Sequence, residues 1–341
     1  MKQPLAPPPN LDDVARTAGV SPATVSRCLN NPGIVRAEIR DHVMAVIDEL
    51  GYVPHAAARA LASRRSRTIG AIFPSLESSL FGGTIGALQA RLAAAGYTLA
   101  VAATGYDLAR EHDHVRNLIA SGVDGLILVG AIREDKTYGL MAQKNIPCVL
   151  LWVSDPDAPH VCIGFDNFQA AVKITDYLVD LGHRKFAMIS GRTEGNDRAA
   201  ARLMGFRNAL TTHGVEIADD RIIECDFGIS QGRTAFRTLM TRDDPPTAVI
   251  CGSEPFAYGA IFEAKSMGLD VPGDVSVTGF DNMELAAQIT PGLTTVQTPQ
   301  VEMGEIAGDY LLARLAGDTV DAPLPLETTL IVRGSTGAPR N

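Results

Sequence analysis

LDDVARTAGVSPATVSRCLNN, residues 11–31, decides how this chain is read. Leu11, Val14, Ala15 and Ala18 recur at helical spacing, Asn10 stands where an N-cap would, and Gly19 stops the helix before Val20 turns inward. A second helix is predicted at once, because Ser21 suits the N-cap and Pro22 the first helical position. Val25 and Leu29 then point to a core, while Ala23 and Thr24 lie on the exposed N-terminal face. Helix, short turn, helix is the unit whose second member enters the DNA major groove. A third helix over about residues 36–50 offers Ile39, Val43, Val46, Ile47 and Leu50 as its buried stripe, with Gly51 as its stop. The spacing thus predicts a three-helix helix-turn-helix head over residues 10–54. A three-helix docking bundle fits the same pattern.

The next segment favours DNA over docking. HAAARALASRRSR, residues 55–67, reads as an Ala-rich hinge helix with Leu61 on one face and a basic end at Arg64, Arg65 and Arg67. A helix this short is marginal in water and is expected to order against a partner. Charge points the same way. Residues 1–67 carry nine Lys or Arg against six acids, whereas the whole chain is −9, so the head alone suits a polyanion.

From Thr68 the chain alternates apolar strands (IGAIF, TLAVAAT, DGLILV, IPCVLL, then KFAMIS, RIIECD, TAVICGS, DVSVTGFD) with amphipathic helices. Such repetition predicts parallel sheets covered on both faces, and two series of this length predict two lobes with a ligand cleft at the carboxyl ends of their strands. The fold class is therefore α/β: a helical head and hinge, then a two-lobed body of doubly wound parallel sheets. The 341 residues are enough for this, at about 150 residues per domain.

Several classes are disfavoured. No stretch approaches the length of a membrane span, and MKQPLAPPPN lacks the apolar core of a secretion signal, so a cytoplasmic protein without a membrane partner is expected. Cys28, Cys148, Cys162, Cys225 and Cys251 show no metal-ligand spacing and read as small buried hydrophobes, so neither metal nor cofactor is expected. FGGTIG lacks the glycine spacing and the Lys-Ser/Thr pair of a phosphate loop. His112 and His114 stand two apart on a helix, do not face together, and are expected in solvent. GISQG around Ser230 begins a helix without a strand-to-helix elbow. The chain is expected not to be an enzyme.

The head and the segment VRAEIRDHVMAVIDELGYVPHAAARALA, residues 35–62, resemble the LacI/GalR transcription regulators. The likeness continues through SGVDGLIL, GFDNFQAA, LGHRKFAMISG, RLMGFRNAL and DVSVTGFDN. By that resemblance Pro22, Ala23 and Arg27 occupy the base-reading positions, and Arg27 alone among them has a side chain able to bond a guanine edge bidentately. Thr24, Ser26 and Asn30 are placed near phosphates. Leu61 corresponds to the wedge that two subunits insert together into the minor groove, with Arg59 and His55 beside it. His55 stands where Asn is common.

The resemblance implies a periplasmic-binding-protein-like body with three crossovers, near Phe165, Thr290 and Asp318. The first lobe is then residues 68–164 plus 291–318, and the second 165–290 plus 319–337. It also implies a homodimer on palindromic double-stranded operator DNA, paired through residues 76–95 and 110–121, with a small-molecule effector in the cleft. Arg202 and Asp281 match an arginine and an acid that meet the effector, a donor fork and an acceptor suited to a polyhydroxylated molecule; a salt bridge between helices is the plain alternative. Phe73, Phe81, Trp152 and Phe227 lie at or just past strand ends, where rings cover an apolar sugar face or simply fill core, and Ser75 is counted with them. Ser253 and Glu254 stand where many members have Asn-Asp, and Trp152 where sugar-binding members usually have Asp. Trp152 and the stretches IGAIFPSL and VCIGFDNFQAA look nearest to the gluconate-repressor branch. A sugar-acid effector is the expectation, with a neutral sugar or purine as the alternative ligand and a stand-alone two-lobed sugar receptor as the alternative function.

Overall fold

The computed structural model describes residues 8–53, 65–76 and 79–340. Its chain separates into an N-terminal unit, reaching to Thr68 and including Gly122–Asp124, and a larger unit made of the rest.

In the N-terminal unit, α1 (Leu11–Thr17) begins with a capping box: Asn10 accepts from the N–H groups of Asp12 and Asp13, and Asp13 answers the Asn10 N–H. Ser21 Oγ caps α2 (Pro22–Asn30) by accepting Thr24 N–H, with Pro22 at the first turn where no backbone donor is missed. Gly51, at φ +60°, closes α3 (Ala37–Leu50) in the left-handed conformation. Val14, Ala15, Val25, Cys28, Val43, Val46 and Ile47 fill the core between the three helices. Ile39, expected in that stripe, is 36% exposed, because the buried face of α3 starts one turn later at Val43. The hinge expected over residues 55–67 falls, up to residue 64, outside the described residues.

The larger unit holds two sheets. The first orders its strands β2-β1-β3-β4-β5, formed by β1 (Thr68–Phe73), β2 (Thr98–Ala103), β3 (Gly125–Val129), β4 (Cys148–Leu151) and β5 (Val161–Ile163). The second runs β11-β10-β9-β8-β6-β7, formed by β6 (Phe186–Gly191), β7 (Ile222–Cys225), β8 (Ala248–Cys251), β9 (Ser276–Asp281), β10 (Thr294–Gln297) and β11 (Thr329–Ile331). In the second sheet only the β10–β11 pairing is antiparallel. Around the first sheet lie α4 (Gly82–Ala94), α5 (Leu108–Ala120) and α6 (Asp135–Lys144). Around the second lie α7 (Asn167–Asp180), α8 (Asp197–Thr212), α9 (Ile229–Met240), α10 (Glu254–Ser266) and the short α11 (Leu285–Gln288). The last helix, α12 (Gln300–Ala316), packs on α4 in the first lobe.

One expected boundary is corrected. Residues 291–297 belong to the second lobe, since Thr294–Gln297 pairs in parallel with Thr278–Asp281; the chain crosses back only at Thr298–Gln300. A strand between the cis Thr290–Pro291 bond and the next helix looks the same from sequence whichever sheet takes it. Among the described residues no helix is long and apolar enough to cross a membrane.

Candidate functional site

On the head, Pro22, Ala23 and Arg27 are exposed on one side of α2, while Val25 and Cys28 face the core. Thr24, Ser26 and Asn30 are half-buried and held: Thr24 Oγ1 lies 2.9 Å from Ser21 Oγ, and Asn30 Nδ2 donates to Ser26 Oγ at 3.2 Å. The helix thus carries an apolar step and one guanidinium on a rigid exposed face, the arrangement required for groove reading. His55, Arg59 and Leu61 lie outside the described residues.

In the body, the carboxyl ends of the strands from both sheets open on a cleft of about 1070 Å³. Ser75, Phe81, Trp152, Arg202, Phe227 and Ser253 line it. Phe81 and Trp152 are nearly fully buried and meet edge to face, with ring centres 5.1 Å apart, so they form its floor. From Trp152 the aromatic contacts continue to Phe165 at 6.1 Å and from there to Phe280 at 6.2 Å, under the guanidinium of Arg202, whose Cζ stands 3.7 Å above the Phe280 ring.

Arg202 is almost fully engaged by the protein. Nε donates to Asn167 Oδ1 at 2.8 Å, Nη1 to the Gly252 carbonyl at 2.6 Å, and Nη2 stands 4.0 Å from Asp281 Oδ1. Asn167 in turn donates Nδ2 to the Trp152 carbonyl at 2.8 Å, tying the floor of the first lobe to the arginine of the second. Gly205 makes this approach possible: a Cβ there would overlap the Phe168 carbonyl, so α8 can lie against α7 with Arg202 beside Asn167. Asn167, in the stretch GFDNFQAA of residues 164–171, is a positioning residue that sequence reasoning missed.

Three expected contacts are corrected. Phe73 is fully buried 5.4 Å from Phe81 and belongs to the first lobe's core, because the last residue of a central strand points into the layer beneath the cleft. Glu254 is fully buried and turned away from the cleft. Its carboxylate accepts Tyr258 Oη at 2.6 Å, Met283 N at 2.8 Å and Thr295 Oγ1 at 2.9 Å, so it joins the start of α10 to the loop after β9 and to β10. Burial raises its carboxyl above the usual range against the pull of the Tyr258 and Thr295 bonds. Asp281 sits in the wall behind Arg202 and Ser253, not on the cleft lining, and faces a second cavity beside Asn282 and Thr298. It is 1% exposed at φ +112°; Ser253 donates to its Oδ2 at 3.1 Å, while Oδ1 has no hydrogen-bond partner. Burial raises its carboxyl to about 7 despite Arg202, and the same burial lowers Arg202 to about 10.

The structure adds residues that sequence spacing could not supply. Tyr106, Arg110, Arg192 and Arg198 also line the cleft. Tyr106 and Arg192 come from loops after strands and Arg110 and Arg198 from the first turns of α5 and α8, where no periodic pattern marks a direction. His112 and His114, expected in solvent, are half-buried and occupied, His112 Nδ1 with Thr137 Oγ1 at 3.0 Å and His114 Nε2 with the Ala103 carbonyl at 3.2 Å. Among the described residues no group of His, Cys, Asp or Glu is arranged to hold a metal.

Comparison with known proteins agrees with both halves. Residues 10–55 match the bacterial regulatory proteins of the lacI family, and residues 175–336 match a periplasmic binding protein-like domain. The HTH-type transcriptional regulator GntR of Escherichia coli (strain K12) is 32% identical over 328 residues, covering 96% of this chain and 98% of that protein. The HTH-type transcriptional repressor PurR of Erwinia tasmaniensis is 34% identical over 328 residues, covering 95% and 96%. The crystal structure of the lac repressor dimer bound to operator and the anti-inducer ONPF superposes with a TM-score of 0.85 at 29% identity, covering 97% of this chain and 100% of that one. With relatives of this identity along nearly its whole length, the chain belongs to the lacI family of bacterial regulatory proteins and is a DNA-binding transcriptional regulator.

Proposed function

We propose that this regulator is a repressor that acts in the cytoplasm as a homodimer on a near-palindromic operator, and that its effector is a sugar acid bound in the interlobe cleft. The role is regulatory and not catalytic, in keeping with relatives that are regulators. Pro22, Ala23 and Arg27 read bases, Thr24, Ser26 and Asn30 meet phosphates, and His55, Arg59 and Leu61 form the minor-groove element. Residues 68–164 with the helix after Gln300 make the dimer-forming lobe, through segments 76–95 and 110–121. One recognition helix has little affinity alone, so pairing is needed.

The observation that carries the effector class is the set of guanidinium groups on the cleft. Its lining has four arginines, Arg110, Arg192, Arg198 and Arg202, against two carboxylates, Glu194 and Asp226. Asp226 pairs with Arg192, and Asp107, Asp197 and Asp281, which stand beside the other three, lie outside the lining, so the cleft has no excess of positive charge but turns guanidinium donors towards a ligand. A surface of guanidinium donors suits a ligand rich in acceptors, a carboxylate among them. Arg202, already engaged by Asn167 and Gly252, is the weaker carboxylate partner, and Arg198 is the stronger.

Titration calorimetry of the full chain with D-gluconate, D-glucuronate, neutral sugars and purine bases tests this. Binding of an acid that falls on the order of tenfold in R198A, the scale of one charged hydrogen bond, supports it. Binding of only a neutral sugar or a purine would overturn the sugar-acid reading and leave the regulator standing.

A further inference from the structure

We propose that Asp197 is a latch between the two lobes. It opens α8 in the second lobe, yet its Oδ2 accepts the backbone N–H groups of Ala131 and of Ile132, the latter at 3.2 Å, in the loop after β3 of the first lobe. Its Oδ1 accepts Arg198 N at 2.9 Å and Arg198 Nη1 at 2.8 Å. Both side chains are largely buried, so solvent screens these charge-assisted bonds little.

The first lobe presents its two donors from a loop that is already fixed. Arg133, with a side chain 1% exposed, donates Nη2 to the Gly130 carbonyl at 2.8 Å, Nε to Glu111 at 3.0 Å and Nη1 to Tyr138 Oη at 2.6 Å. Tyr138 donates to the Ala131 carbonyl at 2.6 Å. With the carbonyls of residues 130 and 131 held from behind, the following N–H groups converge on one anion, as in a backbone nest. Gly130 shows how close the lobes come: it lies at φ +82°, and an added Cβ would overlap Arg198 Nη1 and stand 2.7 Å from Asp197 Oδ1. Only glycine fits there.

Opening the lobes breaks both bonds to Asp197 Oδ2 and frees the carboxylate that holds Arg198. Closure of the cleft and the fixed direction of the Arg198 guanidinium are therefore one event, and a ligand that engages Arg198 favours the closed form. Nothing in this requires the effector to be an acid.

Amide hydrogen exchange of the full chain without effector, followed by mass spectrometry on the peptide spanning residues 126–134, tests the latch. Protection at residues 131–132 is expected in the wild type and is expected to fall on the order of tenfold in D197A, with the peptides of β6 and β8 unchanged. G130A keeps the carboxylate and removes the space, and is expected to give the same loss, so it decides the matter if D197A does not fold. R198A, which leaves Oδ2 in place, is expected to retain protection. Wild-type exchange at the unprotected rate, or protection unchanged in a folded D197A or G130A protein, would overturn the proposal.

Discussion

Asn167 Oδ1 accepts the Nε–H of Arg202 at 2.8 Å, and through this bond the first residue of α7 sets the direction of the guanidinium in the cleft wall. R202K cannot reproduce it. An ammonium reaches one of the three groups that the fork now serves, so Asn167, the Gly252 carbonyl and Asp281 are left partly unpaired. Loss of a buried charged partner costs about 3–5 kcal/mol. R202K and R202A are expected to lower the urea midpoint by a corresponding amount and to weaken effector binding through the disturbed cleft wall, whereas N167A weakens effector binding with a smaller loss of stability. Equal urea midpoints for R202A and wild type would contradict this placement.

Glu254 separates a structural carboxylate from a ligand-binding one. With three hydrogen-bond donors converging on it, E254Q turns an amide N–H towards one of them and is expected to destabilise by about 1–3 kcal/mol. Calorimetric affinity for the effector is expected to stay within about twofold of wild type. A selective loss of effector affinity at unchanged stability would return Glu254 to the site.

Protons enter through Asp281. Its folded-state carboxyl is raised to about 7 from 3.8, so the native protein holds a proton across that window which the unfolded chain has released. This contribution to stability is full below the window and is lost as pH rises through about 7. Urea unfolding at pH 5, 6, 7 and 8 is expected to show the stability of wild type falling relative to that of D281N, which cannot ionise, as pH rises. Glu254, raised in the same direction, adds to the decline, while His160 and His183, lowered by burial, oppose it, so the difference between wild type and D281N isolates Asp281. Wild type gaining stability relative to D281N as pH rises would reverse the sign assigned to this group.

Arg27 is exposed at the middle of α2 and carries no packing role. R27A is expected to leave the thermal midpoint and effector binding unchanged. In an anisotropy assay it costs about 1–3 kcal/mol in DNA affinity and relaxes preference at one base position of each half-site. A uniform loss over all sequences would move Arg27 from base reading to phosphate contact.

Most of the head was legible because its signals are local. Asn10, Ser21, Pro22 and Gly51 mark helix ends by chemistry that acts within four residues, and the caps form as expected. The body's strand and helix alternation was legible for the same reason. What sequence could not supply was direction across long separations. Thr294–Gln297 joins the second sheet because β9 offers it a free edge, a fact with no trace in its own pattern. Glu254 looks like a ligand-binding acid until Tyr258, Met283 and Thr295 are seen around it, and Phe73 looks like a cleft ring until Phe81 covers it. Arg198 passes for a helix-surface cation until the loop at Gly130 comes against it.

The measurement that bears most directly on the central claim joins the two halves of the molecule. Double-stranded DNA selected from a random pool by the full chain is bound again in the presence and absence of D-gluconate and of the other panel compounds, with affinity read by fluorescence anisotropy. An enriched near-palindrome is expected, its affinity changing by about 5–150-fold, the usual range of allosteric coupling, with a compound that occupies the cleft. No enriched sequence, or an enriched one whose affinity is unmoved by a compound shown calorimetrically to bind the cleft, would contradict that claim.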